Sequence, residues 1–351
     1  MSTDTNEQDT EPVSRRRGKP AVIIGGMALI LIVAAAVAVA LLRTGDKAND
    51  LPAFAPFTYR GHGDVVLSVG WSPDGKHIAS GSQNGTLHVY DATSGEPVVE
   101  CEKFPSFVRS LDWSPDSTRV AAADTKGTLR ICDANTGETT VAMTPGASAT
   151  AVWAIDWSPD GKRLAVGTAG GKMLLLDAAT LQQDRVYEGH RNIVSAVAWS
   201  PDGTRIASGG GGATVLGSSS VQIWDVTGGS TATAVFNGAL RVDAVAWSPD
   251  GRRVAADTGP NGDIEIIDVT TGKVEMTFEP DIPETAALAW SPDGTRIAIA
   301  GRDGTEVRGP TGEKVFTYSG QRLPSSLAWA PDSIHVASSG YDHTVQVWRV
   351  G

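Results

Sequence analysis

Val66-Leu67-Ser68-Val69-Gly70-Trp71-Ser72-Pro73-Asp74-Gly75 joins an apolar run to a turn. The first six residues favour an extended strand. Proline then presets φ, aspartate can bond the backbone just ahead of it, and glycine accepts a positive φ. The phrase that begins at tryptophan returns six more times, at Trp113, Trp157, Trp199, Trp247, Trp290 and Trp329, each followed by a small residue, proline, aspartate and glycine or serine. The intervals are 42, 44, 42, 48, 43 and 39 residues, so the chain reads as a modular array.

Working outward from Trp71, three further strands fit within the first period: His77-Ile78-Ala79-Ser80-Gly81-Ser82, Thr86-Leu87-His88-Val89-Tyr90-Asp91 and Pro97-Val98-Val99-Glu100. Gln83-Asn84-Gly85 and Thr93-Ser94-Gly95 supply the turns between them. Four short antiparallel strands per period make one propeller blade, and seven periods predict an all-β, seven-bladed β-propeller. The seventh period runs out after Val345-Gln346-Val347-Trp348-Arg349-Val350, one strand short. Phe57-Thr58-Tyr59-Arg60, ahead of the first repeat, matches Arg185-Val186-Tyr187-Glu188, so residues near 55–60 are expected to complete the last blade and close the ring. Repeat four carries extra residues between Gly209 and Ser220, which predicts a flexible loop at one rim. Repeat six reads Thr305-Glu306-Val307-Arg308-Gly309-Pro310 where a third strand ending in aspartate is expected, which predicts a weak strand there.

Gly61-His62 and Gly189-His190 open repeats one and four, and Trp224-Asp225 ends the third strand of repeat four. Relaxed versions of that last dipeptide are Tyr90-Asp91, Cys132-Asp133, Leu176-Asp177, Ile267-Asp268 and Trp348-Arg349. On these motifs the chain resembles the WD-repeat β-propeller family, in a bacterial-type, membrane-anchored form, from about residue 55 to its end. The Trp-Ser-Pro-Asp-Gly phrase is also similar to the repeats of TolB-type periplasmic propellers. The resemblance implies that His62 and His190 are structural, each bonding within its blade. Ser80, Asn84 and Tyr90 would be the partners in repeat one, and Trp224 the third-strand aromatic in repeat four. Metal ligation is the alternative for these histidines. In peptide-binding members the residue four before the phrase tryptophan stands at the channel mouth. Here those positions are Leu67, Arg109, Trp153, Ser195, Asp243, Ala286 and Ser325, with Phe104 and Phe107 expected to extend the same surface. Trp153 beside Arg109 reads as an interface anchor, or else as an aromatic packed under a loop.

Outside the repeats, Ala21 to Leu42 is a run of 22 residues without a charge. As a helix it would rise about 33 Å, which matches a hydrocarbon core of about 30 Å. Arg15, Arg16, Arg17 and Lys19 precede it and only Arg43 and Lys47 follow closely, so the N-terminus is expected in the cytoplasm and the propeller outside it. Ala38-Val39-Ala40 leaves open a cleaved signal peptide, although the run exceeds the usual signal core. The expected organisation is a disordered cytoplasmic tail over 1–20, a transmembrane helix over 21–42, a tether over 43–54 and the propeller over 55–351.

Residues 1–50 hold six basic and six acidic residues, so the propeller carries the whole net charge of −11. That argues against nucleic acid as a partner and permits basic proteins. Two cysteines, Cys101 and Cys132, are too few for a disulfide framework. They could pair in an oxidising compartment, while the position of Cys132, equivalent to Trp224, favours a packed thiol. The sequence has no nucleophile elbow, phosphate-binding Gly-Lys loop, His-Glu-x-x-His or closely spaced Cys/His ligand set. The expected function is therefore a non-catalytic protein- or peptide-binding scaffold with no metal, cofactor or small-molecule substrate. The rivals are a hydrolase- or lactonase-type propeller enzyme with a channel site and a TolB-like envelope assembly component. The enzyme would need several inward acids or histidines at equivalent positions, and only Asp243 among the mouth residues is acidic.

Overall fold

A computed structural model describes residues 55–143, 151–211, 219–229, 232–237, 241–258 and 262–351. The predicted tail, transmembrane helix and tether lie outside the described residues, as does 212–218 of the repeat-four loop. Among the described residues no helix is long and apolar enough to cross a membrane. Every regular element there is a strand, and the strands form seven four-stranded antiparallel sheets. In blade one Val66–Trp71, His77–Ser82, Leu87–Asp91 and Pro97–Glu100 lie side by side in chain order. Blades two to six repeat that order. Blade seven takes Pro324–Trp329, His335–Gly340 and Val345–Arg349 from the end of the chain, and Phe57–Tyr59 from its beginning. Phe57 stands opposite Val347 and Tyr59 opposite Val345, so the ring closes as the truncated last repeat requires.

Each phrase folds as its residue types demand. Ser72 Oγ donates to Asp74 Oδ1 at 2.7 Å and accepts the His77 amide at 2.9 Å, while Asp74 Oδ1 also accepts the Lys76 amide at 3.0 Å. Gly75, at φ 74°, completes the turn without steric cost. In blades two and seven, serine occupies this left-handed position, at φ 62° for Ser117 and 59° for Ser333. Both serines reach back to the preceding blade. Ser117 Oγ accepts the Asp74 amide and Ser333 Oγ the Asp293 amide, each at 3.0 Å.

The core consists of seven clusters, each drawn from two neighbouring blades. Leu87 and Val89 of blade one pack with Trp113 and Val120 of blade two, and Trp71 and Tyr90 of blade one pack with Tyr59, Ala337 and Val347 of blade seven. The phrase tryptophans are 3% to 8% exposed, so removing one would cost roughly 3–5 kcal/mol. Three of them also stitch blades together. The indoles of Trp113, Trp247 and Trp329 donate at 2.9–3.0 Å to the carbonyls of Gly70, Ala198 and Ala289, each the residue just before the preceding blade's tryptophan.

Two expectations need correction. The third strand of blade six, Gly304–Arg308, is buried along its length and paired on both sides, because Gly309 and Pro310 fall in the turn after it. Gly309 stands where the other blades have the aspartate, and Arg308 takes the register position of Tyr90 and Trp224, pairing with fully buried Glu306 and donating to the Gly312 carbonyl at 2.8 Å. The second concerns the cysteines. Cys101 and Cys132 form a disulfide, with Cα atoms 6.2 Å apart, across the interface of blades one and two. Cys132 is packed as its position suggested, but it is bonded rather than a free thiol, because Cys101 leaves the outer strand of blade one directly beside it.

Candidate functional site

The mouth of the channel is built by a recurrent irregularity. In five blades the innermost strand breaks register once, between Val66 and Ser68, Val108 and Ser110, Val152 and Ala154, Val194 and Ala196, and Pro324 and Ser326. The skipped residues are Leu67, Arg109, Trp153, Ser195 and Ser325. A bulge releases one residue from the ladder and re-aims its side chain, which is how the position four before the tryptophan comes to face the channel end. In blades five and six the inner strands begin later, at Val245–Trp247 and Ala287–Trp290, and Asp243 and Ala286 precede them.

A cavity of about 750 Å³ opens at this end, lined by Leu67, Arg109, Trp153, Asp243, Ala286 and Ser325 among others. A narrower space of about 270 Å³ continues down the channel and reaches Ser195. The two serines are engaged in the wall. Ser195 Oγ donates to the Val242 carbonyl and Ser325 Oγ to the Val66 carbonyl, each linking one blade to the next. Of the two phenylalanines, Phe107 lines the cavity and is 43% exposed. Phe104, expected on the same surface, is 3% exposed and packs in the core between blades one and two, with the Arg130 guanidinium 5.0 Å from its ring centroid.

Trp153 is half-buried beneath two cations. The Arg109 guanidinium stands 5.3 Å from its ring centroid and that of Arg241 5.9 Å, an attraction of about 0.5–2 kcal/mol apiece. Arg241 Nε pairs with Asp243 Oδ1 at 2.5 Å. Burial lowers the Arg109 pKa, opposed by the charge of Asp243, and burial raises that of Asp243 against the pull of Arg241 and Arg109. Arg109 keeps an accessible edge in the cavity while the walls strip most water from its charge.

Further mouth residues follow two rules that the phrase alone does not reveal. Phe107, Arg241, Glu284 and Leu323 each lie six before a phrase tryptophan, one strand period beyond the bulge. Gln83, Thr125, Arg302 and Tyr341 each begin the second turn of a blade, which returns to the same rim. Glu284 pairs with Arg302 at 3.0 Å. Glu284 and Leu323 hold left-handed backbones, at φ 58° and 52°, a strain that clusters at recognition sites.

Below the mouth the channel is lined by the residue two before each tryptophan: Val69, Leu111, Ile155, Val197, Val245, Leu288 and Leu327. The residue just before each tryptophan turns toward the next blade; it is Gly70, Ala198, Ala246, Ala289 or Ala328 in five blades and a carboxylate, Asp112 or Asp156, in the other two. Asp112 Oδ2 accepts the Trp157 amide at 2.6 Å and Asp156 Oδ2 the Trp199 amide at 2.5 Å, so each acid clamps the next blade. Burial raises both pKa values, that of Asp112 to about 6, and the charge of Asp112 raises that of Asp156 further. Among the described residues no group of three or more His, Cys, Asp or Glu is placed to hold a metal ion.

The predicted structural histidines sit inside their blades. His190 Nε2 lies 2.8 Å from Ser208 Oγ, which accepts the Trp224 indole at 2.7 Å. In blade one His62 Nε2 lies 2.7 Å from Ser80 Oγ, and its Nδ1 meets Thr86 Oγ1 at 3.0 Å instead of Asn84. Asn84 joins at one remove, accepting from Ser82 and Thr86. Tyr90 contributes by stacking on Tyr59 at 4.0 Å, with Ser80 beside its hydroxyl. Burial lowers the His62 pKa to about 3 and that of His190 to about 4, which keeps both neutral at physiological pH.

Seven four-stranded blades around a channel, with divergent side chains raised on bulges at one mouth, define a β-propeller of the interaction type. The chain matches the WD domain, G-beta repeat family over residues 56–91, 95–133, 139–177, 181–225, 284–305 and 312–349, and it belongs to that family. The matched spans pass over blade five, whose innermost strand is reduced to three residues. No curated protein is similar to the chain at a significant level.

Proposed function

We propose that this chain is a membrane-tethered WD-repeat scaffold that displays its propeller outside the cytoplasm and binds a protein or peptide at the channel mouth without turnover. The observation that carries the reading is the cavity of about 750 Å³, where chemically unlike side chains are raised on rigid bulges of an otherwise repetitive ring. A ring fixed by seven inter-blade cores orders its loops before a partner arrives, which lowers the entropic cost of association. The uncharged run over 21–42, with its basic flank, supports the tether. The Cys101–Cys132 disulfide supports an oxidising location.

A photo-crosslinking residue at Tyr341, on the mouth rim, should capture a partner in intact cells. The same residue at Lys162, on the turns at the other end, should not. Combined Trp153→Ala and Arg109→Ala substitutions should abolish the Tyr341 adduct, and an adduct unchanged by them would remove the mouth from consideration. Protease added outside intact cells should digest the propeller, and its complete protection would overturn the proposed location.

A further inference from the structure

We propose that the mouth recognises a carboxylate side chain, an Asp or Glu in an extended partner segment, held by Arg109 against the face of Trp153. This rests on the mouth being the binding site and specifies what it binds. Three arginines line the cavity, and two of them are satisfied. Arg241 pairs with Asp243 at 2.5 Å and Arg302 with Glu284 at 3.0 Å. Among the described residues Arg109 makes no ion pair and no hydrogen bond: its guanidinium stands 5.3 Å from the Trp153 ring centroid, and Asp243, whose charge acts on it, is paired with Arg241. The Trp153 indole N–H is likewise buried without an acceptor. A charged donor thus faces the cavity with only an aromatic ring and an already paired carboxylate beside it. Leaving a desolvated cation in that condition is costly, and an arriving acceptor removes the cost.

The charge balance gives the sign and size of the missing group. Arg109, Arg241 and Arg302 face Asp243 and Glu284, leaving one positive charge in excess within a chain of net charge −11. One excess charge matches a carboxylate rather than a dianionic phosphate. The indole face holds the guanidinium at the cavity, where its fork of N–H groups can meet two carboxylate oxygens. The neighbours of that carboxylate should be apolar, because Phe107, Leu323 and Tyr341 ring the cavity at 43%, 44% and 56% exposure. A segment that places an acid between apolar residues satisfies both layers at once.

Random peptides displayed on phage, selected on the immobilised full-length chain in detergent, test this directly. Selected peptides should share an Asp or Glu at one fixed position beside apolar residues. In fluorescence polarisation, changing that acid to its amide and making Arg109→Met should each weaken binding about tenfold or more. The two changes together should cost little beyond either alone, and Arg109→Lys should restore part of the loss. Should Arg109→Met fail to fold, the amide peptide on the unaltered protein still decides. Peptides that lose binding in Leu323→Ser/Tyr341→Ser but show no acid preference would overturn the carboxylate while leaving the mouth intact. Selected peptides indifferent to Leu323→Ser/Tyr341→Ser would overturn both.

Discussion

Replacing Cys101 and Cys132 together by alanine should open the ring first between blades one and two. The bond closes a loop of 31 residues, and loop-closure entropy assigns such a crosslink about 4 kcal/mol. For a chain of this size about 2 °C of Tm accompanies each kcal/mol, so the double variant should melt about 8 °C lower. Alanine also removes two sulfur atoms from a packed interface, since Cys101 and Cys132 are 4% and 1% exposed. Reducing the unaltered protein with dithiothreitol keeps those atoms and breaks only the bond. The fall in Tm on reduction measures the crosslink, and the further fall in the variant measures the packing. Hydrogen exchange should rise first in Leu87–Asp91 and Leu129–Asp133, the strands that meet at this interface. The reasoning fails if protein unfolded without reductant offers two reactive thiols to maleimide. It fails equally if dithiothreitol leaves the melt unchanged.

Two further outcomes follow from the inter-blade contacts. The Asp112 pKa is raised to about 6 from an unfolded value near 4, so its stabilising effect is complete below pH 4 and is lost as pH rises through 6. Asp112→Asn keeps an acceptor for the Trp157 amide and cannot ionise. The variant should therefore match the parent at pH 4 and melt a few degrees higher at pH 8, and a parent that melts higher at both pH values would refute the raised Asp112 pKa. Ser117→Ala keeps the left-handed backbone and loses the bond from the Asp74 amide, costing about 1 kcal/mol in urea unfolding. Ser117→Gly loses the same bond but relieves the backbone by about 1 kcal/mol, and should be near neutral. Equal losses in both variants would show that the backbone strain is not real.

The architecture was legible because it is written repeatedly. Proline, aspartate and glycine after each tryptophan specify a turn from local chemistry alone, and the missing last strand has a visible match in Phe57-Thr58-Tyr59. The inner mouth was legible at Arg109, Trp153 and Asp243 because their distance from the tryptophan is constant. Arg241, Leu323 and Tyr341 escaped because they belong to segments whose lengths and residues differ from blade to blade, and only their convergence in space makes them neighbours. Phe104 misled for the converse reason: a loop aromatic near the mouth in sequence turns inward to fill the space beside Cys101. The disulfide was illegible in principle, since a spacing of 31 residues says nothing about which side chains meet across an interface. The serines at φ > 0 look like drift from the phrase until the contact each makes with the previous blade is seen.

The pairing of Phe57–Tyr59 with Val345–Arg349 also sets a clock on biogenesis. Among the first residues of the ring to be synthesised is a strand whose only partner is made last. Through nearly all of translation that strand and the growing edge of the array have nothing to pair with, and exposed edges of this kind invite intermolecular pairing. Nascent chains should therefore be most vulnerable to aggregation and proteolysis just before Val345–Arg349 emerges, and a ribosome that stalls there would release an open ring.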